Sequence, residues 1–421
     1  MSIEGNAVVA QSGGPTAVIN ASACGVIQEA MKTDAITGVF AGHNGILGVL
    51  NEDLFDLGRE DPDQIELLKS SPSSALGSCR YKLKDLESNR ADYERILAVF
   101  RAHDVHYFFY IGGNDSMDTA QKLNQLAEEE DWPLIVMGVP KTIDNDLAGT
   151  DHCPGYGSVA KYNATIATEA GRDTEALYTH DTATVMETMG RNAGWIAAAC
   201  GVAHRTPEDA PHLVYLPEIP FSMERFVADC QKVYNDIGRV FVVVGEGLND
   251  GEGNYVAEQG GQFGKDAFGH TQLGGVAETL RTVVQDEVGI KCRYIKMGTA
   301  QRNGMHFASR TDRDEAYAVG QKAVQHAAEG TSGLMVTLER KSDDPYEFDT
   351  GLVDLDVVAN GEKMVPREYI NEEGNGITGA MVDYVAPLMQ GEVEIRIGDD
   401  GLPIYTRFAR HNVEKKCPDR E

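Results

Sequence analysis

Lys141, Asp144 and Asp146 lie within six positions of one another in the stretch VPKTIDNDL (139–147), directly after the apolar run PLIVMG. An ammonium and two carboxylates at the exit of a buried strand can attract an anionic group and take a proton from a hydroxyl. A polar loop with turn-capping aspartates and a solvated lysine explains one aspartate better than two. Further charges follow at comparable places: Arg191 in METMGRNAG, Glu246 in VVVGEGL and Arg302 in GTAQRNG. Singly each reads as surface charge; together they sit where sites on open α/β sheets are built.

Two glycine turns complete the set. In QSGGPTAVIN, Gly13 and Gly14 let backbone amides approach a phosphate, with a helix N-terminus following. A plain tight turn fits equally well, and the pattern is neither a P-loop nor a dinucleotide fingerprint. In IGGNDSMD, Asn114 and Asp115 offer oxygens beside Gly112 and Gly113, although Asp115 or Ser116 would also serve as a helix N-cap. Phosphoryl transfer suits this inventory. Its transition state spreads negative charge over the moving oxygens, so it needs amide donors, a cation or metal, and a base near the acceptor hydroxyl. Gly14, Lys141 and Asp144 match those parts.

The elements that must hold these residues alternate along the chain. AVVAQ, VHYFFYIGG, PLIVMGV, TATVMET, HLVYLPE, RVFVVVGEG and GLMVTLE read as strands. DSMDTAQKLNQLAEEE, NAGWIAAACGVA, MERFVADCQKVYNDIG (with Ser222 as N-cap) and DEAYAVGQKAVQHAAEG read as helices. Continuous apolar strands between helices predict an α/β fold of mainly parallel sheets covered on both faces. The glycine-rich stretch 245–275 reads as a long surface excursion.

With 421 residues the length suggests two or three domains. The balance of 37 basic against 66 acidic residues, net −29, repels nucleic acid and anionic lipid, so an anionic substrate needs a local basic pocket. Seven scattered cysteines suit a reducing compartment, no apolar run is long enough to span a bilayer, and a cytoplasmic location is expected.

Taken in order, SGGPTAVINA, GSCR (77–80), IGGNDS, PKTIDNDL, METMGR, GEG and QRNG resemble the phosphofructokinase family, from Ala7 to Leu338. The resemblance implies two Rossmann-like domains. Residues 1–155 with about 303–380 would hold the phosphoryl donor, and about 156–302 with 381–421 the sugar phosphate. It implies transfer to the 1-hydroxyl of fructose 6-phosphate, a step of glycolysis and gluconeogenesis, with Mg²⁺ as cofactor and a homodimer or homotetramer as the assembly. Asp144 would be the base, with Thr142 and Ile143 at the reacting end of the sugar. Met189, Gly190 and Arg191 would line the sugar site, Arg191 also near the moving phosphoryl, and Glu246 would hold sugar hydroxyls. Thr299 and Arg302 would stand at the 6-phosphate, with Arg293 reaching in from a neighbouring subunit. Gly14 would touch the donor, and Asp146 would order the loop or waters around the metal.

Pyrophosphate-using members resemble this chain at Asp115 and Lys141, where ATP-using members have glycines. A carboxylate at Asp115 repels a nucleotide's α-phosphate by roughly 1 kcal/mol in water and ~4 kcal/mol near a protein surface. The expected donor is therefore pyrophosphate, with ATP as the alternative and a non-catalytic sugar-phosphate sensor as a further one. The chain departs from the family at Asn114, where many members place a metal-binding Asp, and at Thr182 and Thr299, where ATP-using members have Arg and His.

Overall fold

The computed structural model describes residues 3–79, 81, 83, 88–177, 179–257 and 275–420. Among these, two sheets carry the chain. The strands are β1 (Gly5–Gln11), β2 (Ile36–Gly42), β3 (Leu54–Asp56), β4 (Val105–Gly112), β5 (Ile135–Pro140), β6 (Ala183–Thr188), β7 (Leu213–Tyr215), β8 (Val240–Gly245), β9 (Cys292–Lys296), β10 (Leu334–Asp343) and β11 (Tyr346–Asp354). The seven-stranded sheet has the order β11-β10-β5-β4-β1-β2-β3, the four-stranded one β7-β8-β6-β9. Pairing is parallel throughout except at the edges β2–β3 and β10–β11 of the larger sheet.

Burial on both faces explains why the strands lack polar alternation. In β4, Tyr107, Phe109 and Ile111 enter one core while Phe108 and Tyr110 enter the other. In the smaller sheet Met186, Phe241 and Val243 face one core, and Val185, Val240, Val242 and Val244 the opposite one. Each strand thus feeds two layers of helices with period two. β1 continues to β2 on one side while β4 lies on its other side. That reversal of strand order opens a crevice beyond the carboxyl ends of β1 and β4, where ligands bind in such sheets. Both glycine turns sit there.

One expectation needs correction. Neither Asp115 nor Ser116 caps its helix: Asn114–Glu129 starts after Gly113, which makes no side-chain capping bond. Further along, Val365, Ile370, Met381, Tyr384, Val385 and Leu388 join the core around Trp195 and Ile196. The final stretch returns to the first sheet. Asp56 N–H donates to the His411 carbonyl at 2.8 Å and Val413 N–H to the Leu54 carbonyl at 2.9 Å. An edge strand presents unpaired backbone groups, and this tail covers those of β3. Glu60 fixes it by accepting the Ala409 and Arg410 N–H groups at 2.8 and 2.7 Å.

The helix Tyr156–Ala176 escapes a sequence reading because its buried face is small and mixed: Val159, Ala160, Ala164 and Ala167 among Ser158, Asn163 and Thr174. Its cap comes from far away. Asp312, itself fully buried, accepts the Gly155 and Ser158 N–H groups at 2.8 and 2.9 Å. Of the glycine-rich excursion, 258–274 lies outside the described residues.

Candidate active site

A cleft of about 720 Å³ lies between the two sheets at their strand exits. It gathers Gly14, Asn114, Asp115, Lys141, Thr142, Ile143, Asp144, Met189, Arg191, Glu246 and Arg302 from six separate segments. Gly190, Thr299 and Arg293 do not line it. Gly190 N–H donates to Glu246 Oε1 at 3.3 Å and so supports the wall. Thr299 is exposed at the start of the short helix Ala300–Asn303. Arg293, on β9, pairs with Asp173 Oδ2 at 2.6 Å. Arg80, quoted above in GSCR, is outside the described residues.

The first wall is the turn after β1. Gly13 has φ +75°, and a Cβ there would stand 3.1 Å from Lys141 Nζ. A Cβ on Gly14 would stand 2.9 Å from Arg302 Nη1. The turn is thus sandwiched between two cations, and Lys141, only 5% exposed, donates to the Gly14 carbonyl at 3.0 Å. In a protein of net charge −29 this is the local basic pocket that an anion requires. Asp115 lies one residue inside the helix Asn114–Glu129, complementing its positive end.

The second wall comes from the smaller sheet. Met189 N–H donates to Gln301 Oε1 at 3.1 Å, tying the turn after β6 to the segment that carries Arg302. A Cβ on Gly247 would fall 1.6 Å from the Arg191 carbonyl. That contact accounts for the glycine after Glu246.

Asp144 stands between the walls. Burial pushes its carboxyl up to about 8, reinforced by the Asp146 and Glu246 carboxylates and opposed by Lys141 and Arg191. Burial and Glu187 push Glu246 up to about 7. Burial also raises Asp146, whose Oδ1 is buried with no hydrogen-bond partner. A carboxyl poised near neutral pH beside a cation-lined turn can exchange a proton with a bound hydroxyl.

Sequence reasoning missed part of the cleft. Ala359, Asn360, Gly361 and Glu362 form a strap along it. The Gly361 carbonyl accepts from Asn114 Nδ2 at 2.8 Å, and Glu362 Oε1 accepts from Asn192 Nδ2 at 2.7 Å. The strap therefore joins the two walls. The only signal in the sequence was the turn-forming Asn-Gly pair of VVANGEK, which by itself says nothing of a site.

Among the described residues no group of three or more His, Cys, Asp or Glu side chains forms a metal cage. Mg²⁺ rarely uses one; it keeps waters and substrate phosphates and takes one or two carboxylates. The orphaned Asp146 Oδ1, with the hard oxygens of Asp115, Asp144 and Asn114 in the same cleft, suits that ion. No described helix is long and apolar enough to cross a membrane.

The family model described as Phosphofructokinase matches residues 6–327. The chain is 48% identical to the pyrophosphate–fructose 6-phosphate 1-phosphotransferases of Halomonas elongata and Xanthomonas campestris pv. campestris, over 98% of this chain and 98% of each relative. Its fold superposes on the crystal structure of a pyrophosphate-dependent phosphofructokinase from Marinobacter aquaeolei with TM-score 0.90 and 44% identity, covering 99% of both chains.

Proposed function

From the premise that this chain belongs to the phosphofructokinase family, we infer that it transfers a phosphoryl group from pyrophosphate to the 1-hydroxyl of fructose 6-phosphate. The products are fructose 1,6-bisphosphate and phosphate, and the reaction runs in both directions. The observation that carries the choice of donor is the buried Lys141 packed on the Gly13–Gly14 turn with Asp115 in the same cleft.

Pyrophosphate binds against Gly13, Gly14 and Lys141, and the helix start at Asn114 adds its positive end. Lys141, Arg191 and Arg302 stabilise the charge on the moving group's oxygens. Asp144 accepts the proton from the sugar's 1-hydroxyl as that oxygen attacks the nearer phosphorus and the bridging P–O bond breaks. Glu246, Met189 and Ile143 orient the sugar. Arg293 of the partner subunit, in a homodimer or homotetramer, extends toward the 6-phosphate end. Mg²⁺, held by Asp146 and Asn114 directly or through water, would neutralise donor charge.

The test is an assay in both directions across pH. As a base Asp144 must be deprotonated, so forward kcat/KM is expected to rise through pH about 8. In reverse the same carboxyl must hold the proton, so kcat/KM for fructose 1,6-bisphosphate with phosphate should fall over that range. Parallel profiles would remove Asp144 as the proton carrier. Absence of product in both directions would overturn the reaction.

A further inference from the structure

The two residues that follow Asp144 are held by the far end of the chain. Asn145 is fully buried and sits in the left-handed region at φ +56°. Both ends of its amide are used: Nδ2 donates to Tyr384 Oη at 2.9 Å, and Oδ1 accepts the Cys153 N–H at 3.0 Å. Tyr384 Oη donates in turn to the Asp151 carbonyl at 2.8 Å. Its ring packs 5.3 Å from Trp195 and 5.4 Å from Tyr369, under the Arg340 guanidinium at 4.7 Å. Asp146 is held by its backbone, its carbonyl accepting the Lys363 N–H at 2.8 Å. Lys363 Nζ then spans to the carbonyls of Thr150 and Asp151 at 3.2 and 2.7 Å.

A non-glycine residue in the left-handed region persists when its surroundings over-determine it. Here the surroundings are the Tyr384 hydroxyl and the Cys153 backbone amide. Tyr384, like the Lys363 that holds Asp146, lies beyond residue 327, where the match to the family model ends. The turn that carries the base belongs to the shared part; the bonds from Tyr384 and Lys363 do not.

We propose that Tyr384 and Lys363 are positioning residues for the transfer, keeping Asp144 at the acceptor hydroxyl by fixing Asn145 and Asp146. This rests on the reading of Asp144 as the base. Neither residue lines the cleft, so their effect belongs to turnover and not to substrate affinity.

The test is Tyr384→Phe, which keeps the ring and its packing but removes the hydroxyl. A misplacement of an ångström or less lowers turnover by roughly 10- to 100-fold, so kcat is expected to drop by that factor. KM for pyrophosphate and fructose 6-phosphate should stay within about threefold of wild type. Because the overall equilibrium is fixed, the loss should be equal in the two directions. A kcat per folded molecule within about twofold of wild type, whatever the change in Tm, would overturn the proposal. Asn145→Gly tolerates the same backbone conformation and removes both amide bonds, giving a second route should the first variant fold poorly. The double variant should lose no more than the worse single one; losses that multiply would show two independent effects and contradict the link. Wild-type turnover is measured in the same series. If it shows no transfer from pyrophosphate, the reading of the reaction fails; if it does and Tyr384→Phe matches it, the positioning fails.

Discussion

Asp144→Asn is expected to lower kcat by about three orders of magnitude, since a positioned base contributes 10²–10⁴-fold. The amide keeps the size of the carboxyl and removes its ability to take the proton. KM for fructose 6-phosphate should change by less than about threefold, because the proposed function gives the sugar's orientation to Glu246, Met189 and Ile143 as well. The same variant should be more stable than wild type at neutral and higher pH. The folded carboxyl holds its proton up to about 8, whereas the unfolded one loses it near 3.8. Between these values the folded state binds the extra proton, so wild-type stability falls as pH rises through the window. The Asn variant escapes that loss, and its advantage in Tm should grow from pH about 4 and level off above about 8. A variant that turns over at the wild-type rate would remove Asp144 from the chemistry. One that is inactive and also less stable would point to a structural role.

The second large effect concerns the donor. Replacing Asp115 and Lys141 together by glycine is expected to lower kcat/KM for pyrophosphate by about 10²–10³, the usual cost of losing a preorganised charge at a transition state. Lys141 lies against the Gly13–Gly14 turn, where in the proposed reaction it supplies that charge. On the same proposal, removing Asp115 lifts the repulsion against a third phosphate, so ATP use should rise in the same variant. Unchanged pyrophosphate kinetics would contradict the assignment of both residues.

Much of the architecture was legible because burial on both faces leaves continuous apolar runs. AVVAQ, VHYFFYIGG and PLIVMGV became β1, β4 and β5, and the charged residues beyond them converge on one cleft. Ser222 caps the helix Met223–Ile237 as its position suggested, accepting the Arg225 N–H. The misses share a cause: information carried by distant residues. The helix Tyr156–Ala176 is capped by Asp312, more than 150 positions away. The end NVEKKCPDRE (412–421) reads as solvated surface in sequence, yet its first residues pair with the edge strand β3. The strap at 359–362 has no periodicity and no charged cluster, and only the fold brings it between Asn114 and Asn192. The family resemblance drew Thr299 toward the site with Arg302, but the short helix turns the two apart: Arg302 reaches Gly14 while Thr299 faces solvent.

The most direct measurement of the central claim is a side-by-side donor comparison on the purified wild-type protein. It supplies fructose 6-phosphate, Mg²⁺, and either pyrophosphate or ATP at equal concentration, and it follows fructose 1,6-bisphosphate. A carboxylate that excludes the third phosphate by ~4 kcal/mol predicts kcat/KM for pyrophosphate about 10³ above that for ATP. Rapid product formation from ATP with none from pyrophosphate would contradict the account.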